Sequence, residues 1–235
     1  MQPLDSLILL IETATTSCSV ALAQGPHILA KKELNERNIH ASHITLFIDE
    51  VMQIAQKSYS DLHAVAISEG PGSYTGLRIG TSTAKGLCFA LDIPLIGINT
   101  LQAMSAGLLE GNPSFKEDSN ILLCPMIDAR RMEVYMALFD SNMKVIEPTQ
   151  AKIIDETSFN QYLSNYTIVF FGDGASKFKP LYQHQKNVVF IDFENTASHL
   201  APLALHKLNK GLIEDVAYFE PYYLKDFIPT QAKKA

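Results

Sequence analysis

A glycine-rich loop, Gly70-Pro-Gly-Ser-Tyr-Thr-Gly76, is the strongest candidate for binding chemistry in this sequence. An apolar run precedes the loop and a helical pattern follows it, so its backbone amides lie at a helix N-terminus, where an anion can bind. The spacing fits neither a Walker A loop nor a dinucleotide loop, which would need glycine at position 75. We therefore favour a tight turn with Ser73 or Thr75 as N-cap. Phosphate binding by Gly70, Gly72 and Ser73 is the alternative.

Hydroxyl and imidazole side chains form two further candidate groups. Thr13 and Thr15 lie in a hydroxyl-rich turn that either wraps a phosphate with its amides or simply connects two strands. His40 and His43 are spaced to share one face of a predicted helix, but two imidazoles alone are an incomplete ligand set for a metal. The sequence contains no Gly-x-Ser-x-Gly nucleophile motif. These residues predict no catalytic group and no metal site.

The composition excludes several classes of protein. The chain has 235 residues, of which 47% are hydrophobic, and a formal net charge of -6. Its longest apolar run is six residues, against about 20 for a membrane-spanning helix, so we expect neither a membrane span nor a signal peptide. Three widely spaced cysteines predict a reducing, cytoplasmic compartment. The net negative charge repels a polyanion. Nucleic-acid contacts must therefore be confined to a small basic group, such as Arg130 and Arg131, or be made by a partner protein.

Hydrophobic periodicity predicts an α/β protein of two lobes with mixed sheets. The first lobe is residues 1–106, and the second lobe is residues 107–235, entered through a linker at 107–120. We expect the C-terminal helix and segment to pack back on the first lobe. The predicted strands are 7–11, 20–23, 28–33, 61–68, 94–98, 121–127, 134–139, 168–171 and 188–191. The predicted long helices are 41–56, 77–91 and 197–212.

A row of small side chains lies on the second of these helices. Its members, at positions 76, 80 and 84, recur every four residues, which allows another backbone to approach closely. Glycine inside a helix costs about 1 kcal/mol relative to alanine, so a close contact should offset that cost. We predict a partner interface at this row, and packing against the 41–56 helix of the same chain is the alternative. The predicted interface residues are Gly76, Gly80, Ala84, Leu87, Phe47 and Val51.

Four segments together resemble the TsaB family: Ile8 to Thr13, Gly70 to Gly80, Ile127 to Arg131 and Pro221 to Leu224. The resemblance implies the two-lobed, ribonuclease-H-like fold of acetate and sugar kinases, heat-shock ATPases and actin (the ASKHA fold). It also implies a role in placing threonylcarbamoyl on the adenosine next to the anticodon of tRNA. The implied partners are a TsaD-like catalytic subunit and a TsaE-like ATPase, with tRNA reached through the complex. The sequence leaves open whether the isolated chain forms a homodimer and whether ATP binds at the partner interface.

The resemblance also implies that this chain lacks the chemistry of its catalytic relative. TsaD proteins carry Asp-Glu in the first hairpin turn, where this chain has Thr16 and Ser17. They also carry a His-x-x-x-His metal pair, where this chain has Thr100 and Met104. Threonine and methionine cannot replace two histidines at a zinc or magnesium ion. We therefore expect a non-catalytic assembly subunit that binds no cofactor by itself. A small-molecule kinase of the same fold, testable by titration with ATP and Mg²⁺, and a metallopeptidase-like protein are the alternatives.

Overall fold

A computed structural model describes residues 5–36 and 39–225 of the chain. They form two five-stranded mixed sheets with helices on their faces, so the predicted fold class is confirmed. No helix in those two ranges is long and apolar enough to cross a bilayer.

The first sheet has the strand order β3-β2-β1-β4-β5. Strands β1, β2 and β3 form an antiparallel meander, and β4 and β5 run parallel to β1. Because β1 is central and covered on both faces, all six of its residues are buried, as its unbroken apolar run requires. The strands are β1 Leu7–Glu12, β2 Ser17–Gln24, β3 His27–Asn35, β4 Ala64–Gly70 and β5 Leu95–Asn99.

The second sheet repeats this topology, with the order β10-β9-β6-β7-β8. Its first three strands are an antiparallel meander, and the last two run parallel to the central strand β6. The sequence analysis did not predict β8, whose apolar residues are interrupted by Pro148. The strands are β6 Ile121–Asp128, β7 Glu133–Asp140, β8 Val145–Ile153, β9 Thr167–Phe171 and β10 Val188–Ile191.

Two long helices cover one face of the first sheet, and a helix between the lobes and the C-terminal helix cover the other. The helices are α1 His40–Ile54, α2 Tyr74–Leu91, α3 Thr100–Gly111, α4 Ser114–Glu117, α5 Asn160–Leu163, α6 Lys179–Tyr182 and α7 Ala201–Asn209. Residues 107–111, predicted as linker, are instead the end of α3, because Leu108 and Leu109 are buried in the second core. The predicted lobe boundary at 106/107 therefore falls inside a helix.

The C-terminal segment returns to the first lobe. Leu200 and Ala204 pack against Ile8 and Leu10 of β1. Beyond α7, the backbone follows the edge of the lobe: Glu214 N donates to Leu95 O at 2.9 Å, and Tyr222 N donates to Glu69 O at 2.7 Å. Lys85 on α2 donates to the carbonyls of Ala217 and Phe219 at 3.1 and 3.0 Å. These contacts hold residues 214–222 against β5 and α2.

Candidate functional site

The glycine-rich loop meets the β1–β2 turn at the start of α2. Ser73 N donates to Ala14 O at 2.6 Å, and Ser73 Oγ caps the helix by accepting from Gly76 N at 3.2 Å. A Cβ atom at Gly72 would overlap the same Ala14 carbonyl. That carbonyl oxygen, itself a partial negative charge, therefore lies where an anion would have to approach. The N-cap prediction for Ser73 is confirmed.

Phosphate binding by Thr13, Thr15, Gly70, Gly72 and Ser73 stays a prediction, although contacts within the chain already engage part of this loop. The Ser73 amide is already used by Ala14, and Gly70 lies beneath the backbone of Tyr222. Thr13 is buried against α2. Thr15 faces a cleft between the two sheets. The Ser73 amide and Thr13 are therefore engaged within the chain, whereas Thr15 lines the cleft.

A buried carboxylate, Glu12, holds the β1–β2 turn in place. It accepts a hydrogen bond from Ala14 N at 2.6 Å and another from the Ser68 hydroxyl. Burial raises the pKa of Glu12, while the bonds from Ser68 and Ala14, and the nearby Asn195, lower it by less. The sequence analysis did not single out Glu12, although an acidic residue ending an otherwise apolar strand was a usable signal. We interpret Glu12 as a residue that positions the turn.

Replacing Glu12 with glutamine should stabilise the chain at neutral and higher pH. The pKa of Glu12 in the folded chain lies above its ordinary value of 4.5. The contribution of Glu12 to stability is therefore complete below pH 4.5 and is lost as the pH rises through the folded-state pKa. A neutral amide can accept from Ala14 N through its oxygen and donate to the Ser68 hydroxyl through its NH2 group, and it avoids that loss. The free energy of unfolding of Glu12→Gln, measured in urea at several pH values, should exceed that of the wild type by an amount that grows above pH 4.5. A difference independent of pH would contradict this account.

The cleft between the sheets is narrow. The first lobe contributes Thr15, Thr16, Ser17 and Asn35, and the rest of its lining is Met104, Gly172, Asp173, Phe193, Glu194 and Asn195. Its volume is about 50 Å³, against roughly 300 to 1,000 Å³ for typical small-molecule sites. Beside the cleft, the segment that follows β10 is held to the first lobe by the hydroxyls of Ser19 and Thr196, which lie 3.0 Å apart, and by Thr196 Oγ1 donating to Glu33 at 2.7 Å. A volume of this size holds one or two water molecules.

The positions that align with the metal pair of the catalytic relative are occupied by a hydroxyl and a thioether. Thr100 and Met104 on α3 are both buried, and the Met104 methyl group lies against Gly172. His40 and His43 do not converge: His40 Nε2 lies 3.1 Å from Thr15 O, whereas His43 Nδ1 lies 3.2 Å from Ile39 O. Within residues 5–36 and 39–225, no three His, Cys, Asp or Glu side chains are arranged to hold a metal ion. The absence of bound metal stays a prediction.

The predicted partner interface lies inside the chain. A Cβ atom at Gly76 or Gly80 would overlap Thr13, so the row of small residues makes room for the β1–β2 turn. Leu87 is partly buried against the core of the first lobe. The other predicted interface residues, Ala84, Phe47 and Val51, are buried in the core of the first lobe. The predicted interface is therefore wrong for the buried positions, Gly76, Gly80, Ala84, Phe47 and Val51. The alternative, packing against the 41–56 helix, is confirmed for Ala84, which shares a core with Phe47 and Val51, whereas Gly76 and Gly80 contact the β1–β2 turn.

The opposite face of the same two helices exposes three large apolar side chains. Phe89 on α2 is 85% exposed, and Leu46 and Ile54 on α1 are 53% and 55% exposed. A Cβ atom at Gly86 would meet nothing within 4 Å. We call Leu46, Ile54, Gly86 and Phe89 the outer face. Large apolar side chains exposed together are typical of a protein-binding surface.

Comparison with solved structures places this fold among known ones. A Pseudomonas aeruginosa structure titled YeaZ aligns with a TM-score of 0.75 and 22% identity over 93% of this chain and 100% of that one. An inorganic polyphosphate/ATP-glucomannokinase from Arthrobacter aligns with a TM-score of 0.50 and 12% identity, over 88% and 99% of the two chains. At these identities the likeness concerns the fold alone, which is the two-lobed ASKHA type.

Sequence comparison decides the family. The model of the TsaD family, tRNA N6-adenosine threonylcarbamoyltransferase, matches residues 27–228. The Escherichia coli K12 tRNA threonylcarbamoyladenosine biosynthesis protein TsaB is 31% identical over 227 residues, covering 93% of this chain and 94% of that protein. This chain belongs to the TsaB family. A Buchnera aphidicola TsaB is 28% identical over 87% of this chain and 91% of its own length.

The catalytic relatives match less completely. A tRNA N6-adenosine threonylcarbamoyltransferase from Bacillus cereus is 29% identical over 62% of this chain and 46% of its own length. The TsaB family therefore shares a common core with the transferases, and the resemblance seen in the sequence motifs is confirmed.

Proposed function

We propose that this TsaB-family chain is a non-catalytic subunit of the assembly that forms threonylcarbamoyladenosine on tRNA. The non-catalytic assignment rests on the cleft between the lobes. The cleft has a volume of about 50 Å³ between Met104, Phe193 and the β1–β2 turn. A kinase of this fold would need space for ATP and its metal there. Thr16, Ser17, Thr100 and Met104, at the positions of the catalytic relative's carboxylates and histidines, supply no carboxylate or imidazole. The cleft carboxylate of Asp173 already accepts a hydrogen bond from Asp128 N at 3.0 Å.

The proposed partner is a TsaD-like catalytic subunit, bound by the outer face. The TsaD family model covers residues 27–228, so such a partner has the same fold and the same pair of helices to offer. Two such helix pairs can pack with their apolar faces together, as ridges into grooves. Gly86 has no Cβ to keep a partner helix at a distance. In the absence of the partner, a second copy of this chain presents the same face, so we expect a homodimer that the partner displaces.

Further components complete the proposal. A TsaE-like ATPase joins the complex, tRNA binds the assembled complex, and ATP binds at a partner interface, because the cleft of this chain has a volume of only about 50 Å³. The proposed location is the cytoplasm. Cys18, Cys88 and Cys124 are free and buried, and burial raises the pKa of each thiol, which suits a reducing compartment.

Reconstitution from separately purified components tests the proposed function. Labelled threonine should be transferred to tRNA only when this chain and a TsaD-like subunit, with its ATPase, are combined. Mass measurement of the purified complex should give one copy of this chain per catalytic subunit. Transfer by this chain alone, free of contaminating partner, would refute the non-catalytic assignment.

A further inference from the structure

The turn between β6 and β7 presents two adjacent arginines from a strained backbone. Arg130 has φ of 71° and Arg131 has φ of 53°, and both side chains are exposed. This left-handed region is unfavourable for residues with a Cβ atom, and consecutive residues in such a turn are usually asparagine and glycine. Because glycine would relieve the backbone strain, two arginines here point to a use for their side chains.

The base of the turn is fixed by hydrogen bonds. Lys177 Nζ donates to Asp128 Oδ1 at 2.6 Å, to Arg131 O at 2.8 Å and to Glu133 O at 3.1 Å. Arg130 N donates to Asp128 Oδ1 at 2.5 Å. The backbone that carries the two guanidinium groups is therefore pre-organised, and less conformational entropy is lost when they bind a ligand.

Two of the three acidic groups at the turn are paired with lysines, and the third, Asp173, accepts a hydrogen bond from Asp128 N at 3.0 Å. Lys177 neutralises Asp128, and Lys225 neutralises Glu133. Among the residues that the structure describes, neither arginine takes part in an ion pair. The turn is thus a local patch of positive charge on a chain whose net charge is -6.

We propose that Arg130 and Arg131 bind the phosphodiester backbone of the RNA that the complex modifies. Guanidinium groups bind phosphate oxygens in pairs of hydrogen bonds, and unpaired arginines on a fixed turn are suited to that contact. An acidic protein surface is the less favoured ligand. Protein interfaces have an apolar core, and within residues 129–133 Met132 is the one large apolar side chain that is exposed. The inference rests on the proposed function, since it assigns the RNA contact to the assembled complex.

The test uses the complete reconstituted complex and a tRNA substrate. The variant Arg130→Gln/Arg131→Gln removes two charges, and Lys116→Gln/Lys210→Gln removes two charges from exposed lysines elsewhere. Filter binding from about 50 to 200 mM salt gives the slope of log K against log salt concentration. For the arginine variant, we expect weaker tRNA binding and a slope shallower by roughly one per arginine, and we expect the lysine variant to match the wild type. Arg130→Gly/Arg131→Gly should show the same loss with an unchanged or higher Tm.

The outcomes separate this inference from the proposed function. Complex formation is first measured by mass; if the wild-type chain does not assemble with the catalytic subunit, the proposed function fails. If it assembles, and the arginine and lysine variants have the same slope and affinity, the RNA contact is overturned. Weaker assembly with an unchanged salt slope would also overturn it, and would assign the turn to a protein partner.

Discussion

Phe89→Asp should abolish binding of the TsaD-like subunit while the chain stays folded. Phe89 is 85% exposed on α2, so its replacement removes little from the core of this chain. In the proposed complex it is buried by the partner helices, where a carboxylate would be left without a partner. Loss of an aromatic hot spot costs about 2 kcal/mol or more, which is at least about a 30-fold loss of affinity, and the buried charge adds to it. Calorimetric titration of the catalytic subunit measures the loss.

A matched substitution distinguishes the outer face from exposed apolar surface in general. Ile153, at the end of β8 in the second sheet, is 71% exposed. Ile153→Asp should leave both partner affinity and Tm unchanged. Unchanged affinity in Phe89→Asp, or an equal loss in Ile153→Asp, would place the interface elsewhere on the chain.

Gly80→Leu should unfold or strongly destabilise the chain, because this helix position packs against Thr13. Overpacking typically costs about 1 to 3 kcal/mol, and here even a Cβ atom overlaps the Thr13 hydroxyl. At roughly 2 to 4 °C per kcal/mol for a chain of this size, Tm should fall by up to about 10 °C, or the variant should not fold. Gly80→Ala should be destabilised in the same direction. Thermal unfolding followed by circular dichroism measures both.

Two comparisons make this prediction specific. Gly86 lies on the same helix with nothing within 4 Å of its Cβ position, so Gly86→Ala should gain up to about 1 kcal/mol from helix propensity. Adding Thr13→Ala to Gly80→Ala should recover part of the lost stability, because it removes the atoms that overlap. If Gly80→Ala were as stable as Gly86→Ala, the close contact between α2 and the β1–β2 turn would be refuted.

The row of small residues shows what a helical pattern can predict. Its spacing of four correctly indicated a close approach on one face of α2, since spacing and side-chain size are local properties. The approaching element is the turn at Thr13, which reaches α2 because β1 and β4 pair in parallel. Strand pairing is a long-range property that a single sequence does not encode locally. The interface was therefore predicted on the inner face of the helix, whereas the exposed Phe89 lies on the outer one.

Other parts of the site depended on tertiary structure in the same way. The N-cap at Ser73 followed from turn chemistry and was predictable. The burial of Glu12 depends on β4 placing Ser68 beside it. Arg130 has a positive φ, whereas turns of this kind are predicted from asparagine and glycine. The linker expected at 107–111 is helical because the second core covers Leu108. The meander β1-β2-β3 and the hairpin β6-β7 were predictable because unbroken apolar runs are visible in the sequence, whereas β8 is interrupted by Pro148 and was not.

Transfer of labelled threonine to tRNA, with each component omitted in turn, tests the central claim most directly. We predict no transfer by this chain alone, and efficient transfer when it is combined with the TsaD-like subunit and its ATPase. Omitting this chain from the mixture should reduce transfer, and adding Phe89→Asp in its place should not restore it. Two results would contradict the account of a non-catalytic subunit acting through its partner. One is transfer by this chain without the catalytic subunit, and the other is full transfer by the catalytic subunit and its ATPase without this chain.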